Sequence, residues 1–175
     1  MPECVKPLQP PDSFHLSAAE GWLELGDSWA ASEELAKITP ELKSHPAVLE
    51  IRWQILCKGE CWKTCVDIAK ALTQLTPSEP RVWIHLAYST RRMEGGGLEA
   101  AVEVLKPGVE HFPDNPLFCF YLAIYTIQLD RLVESTIWWD KGIEVARKQH
   151  WLNKIPLMAL DDPDLRPLLK DLCKG

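Results

Sequence analysis

Apolar and polar positions recur with a helical period along almost the whole chain, and no stretch alternates as a half-buried strand does. The pattern is clearest over residues 80–113. Trp83, Leu86 and Ala87 mark one face of a helix, with Trp83 expected in the core. Beyond the Gly95-Gly96-Gly97 break, Ala101, Val102, Leu105 and Val109 mark one face of the next. The same reading predicts helices over 13–26, 28–38, 47–58, 61–75, 81–94, 98–111, 117–129 and 132–148. Glycines stop helices and prolines open the next ones, as at Gly59, Pro80 and Pro116. Helix after helix on short links gives an all-α class. Pro107 has no N–H for the carbonyl of Glu103, so it is expected to kink the sixth helix or end it early.

The ends read differently. Pro2, Pro7, Pro10 and Pro11 make residues 1–12 an irregular, proline-rich tail. After the helical array of 13–148, residues 149–175 form a closing segment. There an apolar run, 151–160, leads to Asp162 as an N-cap and Pro163 at the first helical position, which predicts a short last helix over 165–172.

The period narrows the class. Leu49 and Trp83 stand 34 residues apart, His15 lies another 34 back, and Cys119 lies 36 ahead, the two extra residues falling in the glycine turn. A helix–turn–helix unit repeating every 34 residues is the tetratricopeptide signature. Small residues recur at Ala19, Ala87 and Ala123, and again at Ala31, Cys65, Ala101 and Ser135. Pro77 and Pro113 close their repeats. On these positions residues 13–146 resemble the tetratricopeptide-repeat (TPR) superfamily, of the small bacterial type. Trp22, Leu25, Gly26 and Trp29 spell the family's opening pattern but lie too close to Leu49, so Leu25-Gly26-Asp27 is read as an interhelical turn. Trp53 stands where a small residue is usual. The resemblance implies a right-handed α-solenoid of about four TPR-like helix pairs. The LMALDDPDL stretch is similar to segments that close such arrays, and 149–175 would be the cap that a terminal repeat needs.

Composition excludes some partners. The 175 residues carry 19 basic and 25 acidic side chains, a formal charge of −6, which argues against nucleic acid. No run of 18 apolar residues suggests a membrane span, and the start lacks the apolar core of a signal peptide, so cytoplasmic residence is expected. Cys4, Cys57, Cys61, Cys65, Cys119 and Cys173 fall mostly in helical patterns and read as packed thiols. A thiol-responsive role for the 57/61/65 row is the lesser alternative. No cofactor or metal is expected, because the row has no histidine to complete a zinc set. The five histidines are scattered, the 161/162/164 aspartates read as helix caps, and Gly95-Gly96-Gly97 lacks the lysine of a phosphate loop.

The resemblance also implies a function. The first helix of each TPR pair lines a concave groove, which here would carry Glu50, Gln54 and Lys58, then Arg81, Ile84, Tyr88, Arg91 and Arg92, then Gln128 with Phe120, Ile124 and Ile127. The arginines and Tyr88 could hold a carboxylate or acidic peptide segment, and the last three an apolar side chain. Reversing Arg91 and Arg92 is expected to leave the fold intact. Glu50 and Leu117 stand at two basic positions of the lysine–asparagine clamp of chaperone-tail binders, so that ligand is not expected. The reading is a non-enzymatic scaffold or adaptor that binds protein or peptide. A self-associating scaffold is the rival, with Trp138 and Trp139 on different sides of their helix, one in the core and one an exposed anchor.

Overall fold

The computed structural model describes residues 6–151 together with Pro163, Asp164 and Arg166. Among them the regular structure is helical: α1 (Asp12–Glu24), α2 (Ser28–Lys37), α3 (Pro46–Lys58), α4 (Trp62–Leu75), α5 (Pro80–Arg92), α6 (Leu98–His111), α7 (Leu117–Gln128) and α8 (Leu132–Lys148), with one 3-10 turn at Pro40–Leu42. The all-α expectation holds, and every helix read from the periodicity is present within a few residues. The predicted helix over 165–172 lies outside the described residues, apart from Arg166. The chain divides into two compact units, Met1–Ser89 and Thr90–Gly175, and the division falls inside α5.

In the first unit, α3 is packed on two sides. Val48 and Ile51 join Ala19, Leu23, Ala31, Leu35 and Ile38 of the first helix pair. Leu49 and Trp53, on the other side of the same helix, join Cys65, Ile68, Ala69, Leu72 and Val82. A helix sandwiched between neighbours is what a repeat array requires, since no single pair can bury its own apolar faces. The turn read at Leu25-Gly26-Asp27 is present: Gly26 takes φ +84° and Asp27 caps α2, its Oδ1 accepting from the Ala30 N–H at 2.9 Å. Asp12, buried at the start of α1, accepts from the Thr39 N–H at 2.6 Å and the Thr39 hydroxyl at 3.1 Å, tying the two ends of the first hairpin. Residues 6–11 carry no regular element, yet Leu8 packs on this core and His45 donates Nε2–H to the Lys6 carbonyl at 2.9 Å.

Trp83 is not a core residue. It is half-buried beside the cluster and donates Nε1–H to the Pro77 carbonyl at 3.0 Å. The fully sequestered position next to it is Val82, and the buried tryptophan of this unit is Trp53, only 8% exposed. Its indole stacks on the His85 ring at 3.8 Å and donates to the Ser89 hydroxyl at 2.9 Å, which satisfies its one polar atom.

The second unit is built round α7, which is buried at every position from Leu117 to Thr126. A helix that is apolar all round belongs inside. It packs between α6, whose Ala101, Val102, Leu105 and Val109 are buried as the periodicity implied, and α8. Two glycines let the helices close. A Cβ on Gly108 of α6 would be driven into the Phe118 ring, which stacks on Phe112 at 5.4 Å. A Cβ on Gly142 of α8 would lie 2.8 Å from Phe120 Cε1. Pro107 does not end α6, which runs on to His111. In the glycine turn, Gly97 takes φ +107° and a side chain on Gly96 would strike the Thr90 carbonyl, so neither position accepts another residue without strain.

These contacts set the ranking of four substitutions. Trp53→Ala is expected to cost about 3–5 kcal/mol through the cavity it leaves, and Trp83→Ala less. Gly108→Ala should cost about 1–3 kcal/mol by overpacking Phe118. Gly21→Ala, with open space around the added methyl, should gain about 0.5–1 kcal/mol from helix propensity. Urea unfolding of the four variants checks the order, and a Trp83→Ala loss equal to that of Trp53→Ala would reinstate Trp83 as core.

Candidate functional site

The residues expected to line a groove fall into two sets, one in each unit. In the first unit, α3 and α5 bring Glu50, Gln54, Arg81 and His85 together around Trp53. Glu50 is buried. Its Oε1 accepts from Gln54 Nε2 at 3.5 Å, and its Oε2 lies 3.9 Å from Arg81 Nε and 3.5 Å from His85 Nδ1. Burial raises the Glu50 pKa above its ordinary value, against the Arg81 charge and the Gln54 hydrogen bond. Burial, with the Arg81 charge, also pushes His85 down to about 3, so its ring is neutral, and Nδ1 is buried without a hydrogen bond among the described residues. Tyr88 meets Trp53 and Trp62 edge-on, each at 6.0 Å. Arg81 keeps its guanidinium outward, with 62% of its side chain exposed.

The second unit holds a tighter constellation. The last turn of α5 supplies Arg91 and Arg92, and α7 supplies Tyr125 and Gln128. All but Gln128 converge on Asp164, which is only 4% exposed. Arg92 grips both carboxylate oxygens, Nη2 to Oδ1 at 2.6 Å and Nη1 to Oδ2 at 3.1 Å. Arg91 Nη1 donates to Oδ1, and the Tyr125 hydroxyl donates to Oδ2 at 2.6 Å. Arg91 is held in turn by Gln128 Oε1, 2.8 Å from its Nη2, and by the Tyr125 ring, whose centroid lies 5.0 Å from the guanidinium carbon. Burial acts to raise the Asp164 pKa, but hydrogen bonds from Arg92 and Tyr125, the Arg92 charge and the Arg91 bond outweigh it, and the pKa sits below its ordinary value. Burial and the Asp164 charge push Tyr125 well above the ordinary tyrosine range.

The repeat pattern puts Arg91 and Arg92 on a face suited to a carboxylate, whereas the local sequence makes Asp164 part of a capping cluster. The structure joins them. Charge reversal at both arginines is therefore expected to disturb the fold, because it would surround a buried carboxylate with like charge. The α7 stripe also sits one position off. Phe120 packs on α8, its ring edge-on to Trp139 at 5.6 Å, and Ile124 is buried. Gln128, expected on that row, does meet Arg91, and Tyr125 joins it there in place of Ile124. Ile127 is 51% exposed, while Ile84 is buried in its own unit. Lys58 donates to the Leu23 carbonyl at 2.9 Å and so fastens the end of α1.

Cys57 Sγ lies 3.7 Å from Cys65 Sγ, and burial raises the Cys65 pKa, which keeps it a thiol. Among the described residues no group of three His, Cys, Asp or Glu side chains is gathered as a metal site needs. Trp138 and Trp139 are both half-buried, so neither is the exposed anchor expected of one of them; Trp138 donates to Glu134 Oε1 at 3.3 Å.

Solved structures similar to this chain include three of MamA. A MamA double mutant from strain RS-1 matches with TM-score 0.68 and 18% identity over 81% of this chain and 79% of its own. MamA from residue 41 to its end, of Desulfovibrio magneticus RS-1, matches with TM-score 0.68 and 18% identity over 79% and 77%. A MamA of MSR-1 matches with TM-score 0.64 and 13% identity over 78% of each chain. No protein-family model and no curated protein matches the sequence. At these identities the likeness is one of fold: the chain has the TPR-like helical fold of those structures, as the 34-residue period indicated.

The neutral, buried His85 makes stability depend on pH. In the unfolded chain it titrates near 6.5, and in the fold near 3. Between those values the unfolded state binds a proton that the folded state does not, so stability falls as pH drops from 6.5 towards 3. The loss from pH 6.5 to 5 should be on the order of 1–2 kcal/mol. The raised pKa of Glu50 works the other way, its folded form keeping a proton that the unfolded chain releases above 4.5. Urea unfolding of wild type and His85→Phe at pH 7, 6 and 5 separates the two, with the variant expected to lose less. Equal losses would show that His85 takes its proton within the fold.

Proposed function

We propose that this chain is a non-enzymatic scaffold or adaptor that binds protein or peptide, recognising acidic side chains through its paired arginines. One observation supports this reading above the rest. Arg91, Arg92 and Tyr125 converge on a carboxylate carried 72 residues beyond Arg92, so this face already grips a side chain of a remote stretch of polypeptide. Charge-assisted, bidentate arginine–carboxylate bonds are the strong ones, and they select planar anions. In the first unit, exposed Arg81 offers a second, independent cation beside Glu50. The TPR-like fold supports the same function class, since repeat arrays present extended binding faces. Gln54, Lys58 and Ile127 keep solvent-accessible surface for contacts with such a partner. The six cysteines suit the reducing cytoplasm, where we place the protein. Among the described residues no helix is long and apolar enough to cross a membrane.

A second reading has its own observation. Leu132, Val133 and Ile137 are exposed together on α8 and line a shallow depression with Asp130, Arg131 and Glu134. Exposed apolar patches favour interfaces, and this one would serve self-association.

Two measurements separate the readings. Affinity capture on immobilised protein should recover an acidic partner that is lost with Arg92→Ala and retained with Lys148→Ala, folding being checked by circular dichroism. Recovery of the same partner by a folded Arg92→Ala protein would count against the arginine site. Light scattering over a hundredfold concentration range should give a constant mass for an adaptor. A mass that rises with concentration and is reset by Val133→Asp would favour the self-associating scaffold.

A further inference from the structure

The contact with Asp164 has the form of an occupied receptor, not of an ordinary ion pair. Its carboxylate is saturated, each oxygen accepting two hydrogen bonds, one pair from Arg91 and Arg92 and the other from Arg92 and Tyr125. Such saturation fits an ionised carboxylate. The receptor is also held in shape by groups other than its occupant. Gln128 and the Tyr125 ring fix the Arg91 guanidinium, and both belong to α7, the most deeply buried helix of the unit. Two guanidiniums face one carboxylate, so removing that carboxylate takes a strong acceptor from two partly buried cations and favours another anion in its place. The carboxylate follows Pro163, which is exposed, in a stretch far along the chain from either arginine.

Resting on the reading of the arginine pair given above, we propose that Arg91, Arg92, Tyr125 and Gln128 form a receptor for a single aspartyl side chain, and that Asp164 fills it in cis in competition with acidic peptides offered in trans. The site is then self-occupied in the isolated protein. A partner binds by displacing Asp164, so its measured affinity is lowered by the cis occupancy. Selectivity follows from charge: a carboxylate over the carboxamide of asparagine.

The experiment uses the full chain and a fluorescein-labelled peptide, Asp-Asp-Pro-Asp-Leu-Arg-Pro, which copies residues 161–167. Anisotropy titrations compare wild type with Asp164→Ala. The variant should bind at least about tenfold tighter, the range of one charge-assisted hydrogen bond. Replacing the third aspartate of the peptide by asparagine should reverse the gain, and so should adding Arg92→Ala to the protein. If Asp164→Ala does not fold, Asp164→Asn takes its place, with tighter binding than wild type still expected. Equal affinity of wild type and variant would overturn the cis occupancy while leaving the arginine site as a binding site. No binding to either folded protein would overturn both the inference and the function on which it rests. A gain that survives Arg92→Ala would move the site elsewhere and overturn the assignment.

Discussion

Close approach between paired helices is the constraint on which this structure rests. At Ala19, Ala31, Cys65, Ala87, Ala101 and Ala123 the side chain is small and almost wholly buried. Where a second-unit pair meets, the Ser135 hydroxyl donates across to the Ala123 carbonyl at 2.8 Å, a distance that needs the α8 side chain to reach the α7 backbone. Gly108 and Gly142 do the same for α6 and α8 against the phenylalanines of α7. A larger residue at any of these points would push the pair apart and pull the flanking apolar faces out of contact. Interiors are close-packed, so the shift would spread. The rest of the fold, including the aim of Arg91 and Arg92, follows once these spacings are met.

That dependence explains what the sequence disclosed. Small residues at a 34-residue interval are a direct image of the spacing rule, and glycines and prolines mark the turns, so the helices and their order were legible. The rotation of α7 was not. Its residues are apolar on every side, and without a polar face nothing in the pattern says which stripe meets α8 and which meets the arginines. The partner of the arginines was also hidden. Asp164 is 72 residues from Arg92 and outside the repeat, and beside Pro163 it satisfies the local rule for helix capping. A local explanation was sufficient, and the long-range one left no periodic trace.

Trp53 shows how a repeat absorbs a departure from its own rule. A large indole stands where the array usually has a small side chain. The accommodation comes from the next helix: His85 lies flat against the indole and Ser89 takes its N–H. The cost is electrostatic. The imidazole that provides the stacking surface is held neutral beside a buried glutamate, and its Nδ1 makes no hydrogen bond among the described residues. Volume was gained at one position by giving up a satisfied polar group at another.

The burial of α7 has a consequence for the order in which this unit can open. Ten consecutive residues, Leu117 to Thr126, are sequestered, and exposure begins only at Ile127 and Gln128, so fraying is confined to the C-terminal end of the helix. Its amide hydrogens wait for a concerted opening of the unit, whereas exposed turns exchange through local fluctuations. The helix that carries Tyr125 is therefore expected to exchange slowly, and that side of the arginine site keeps its shape while the unit stays closed.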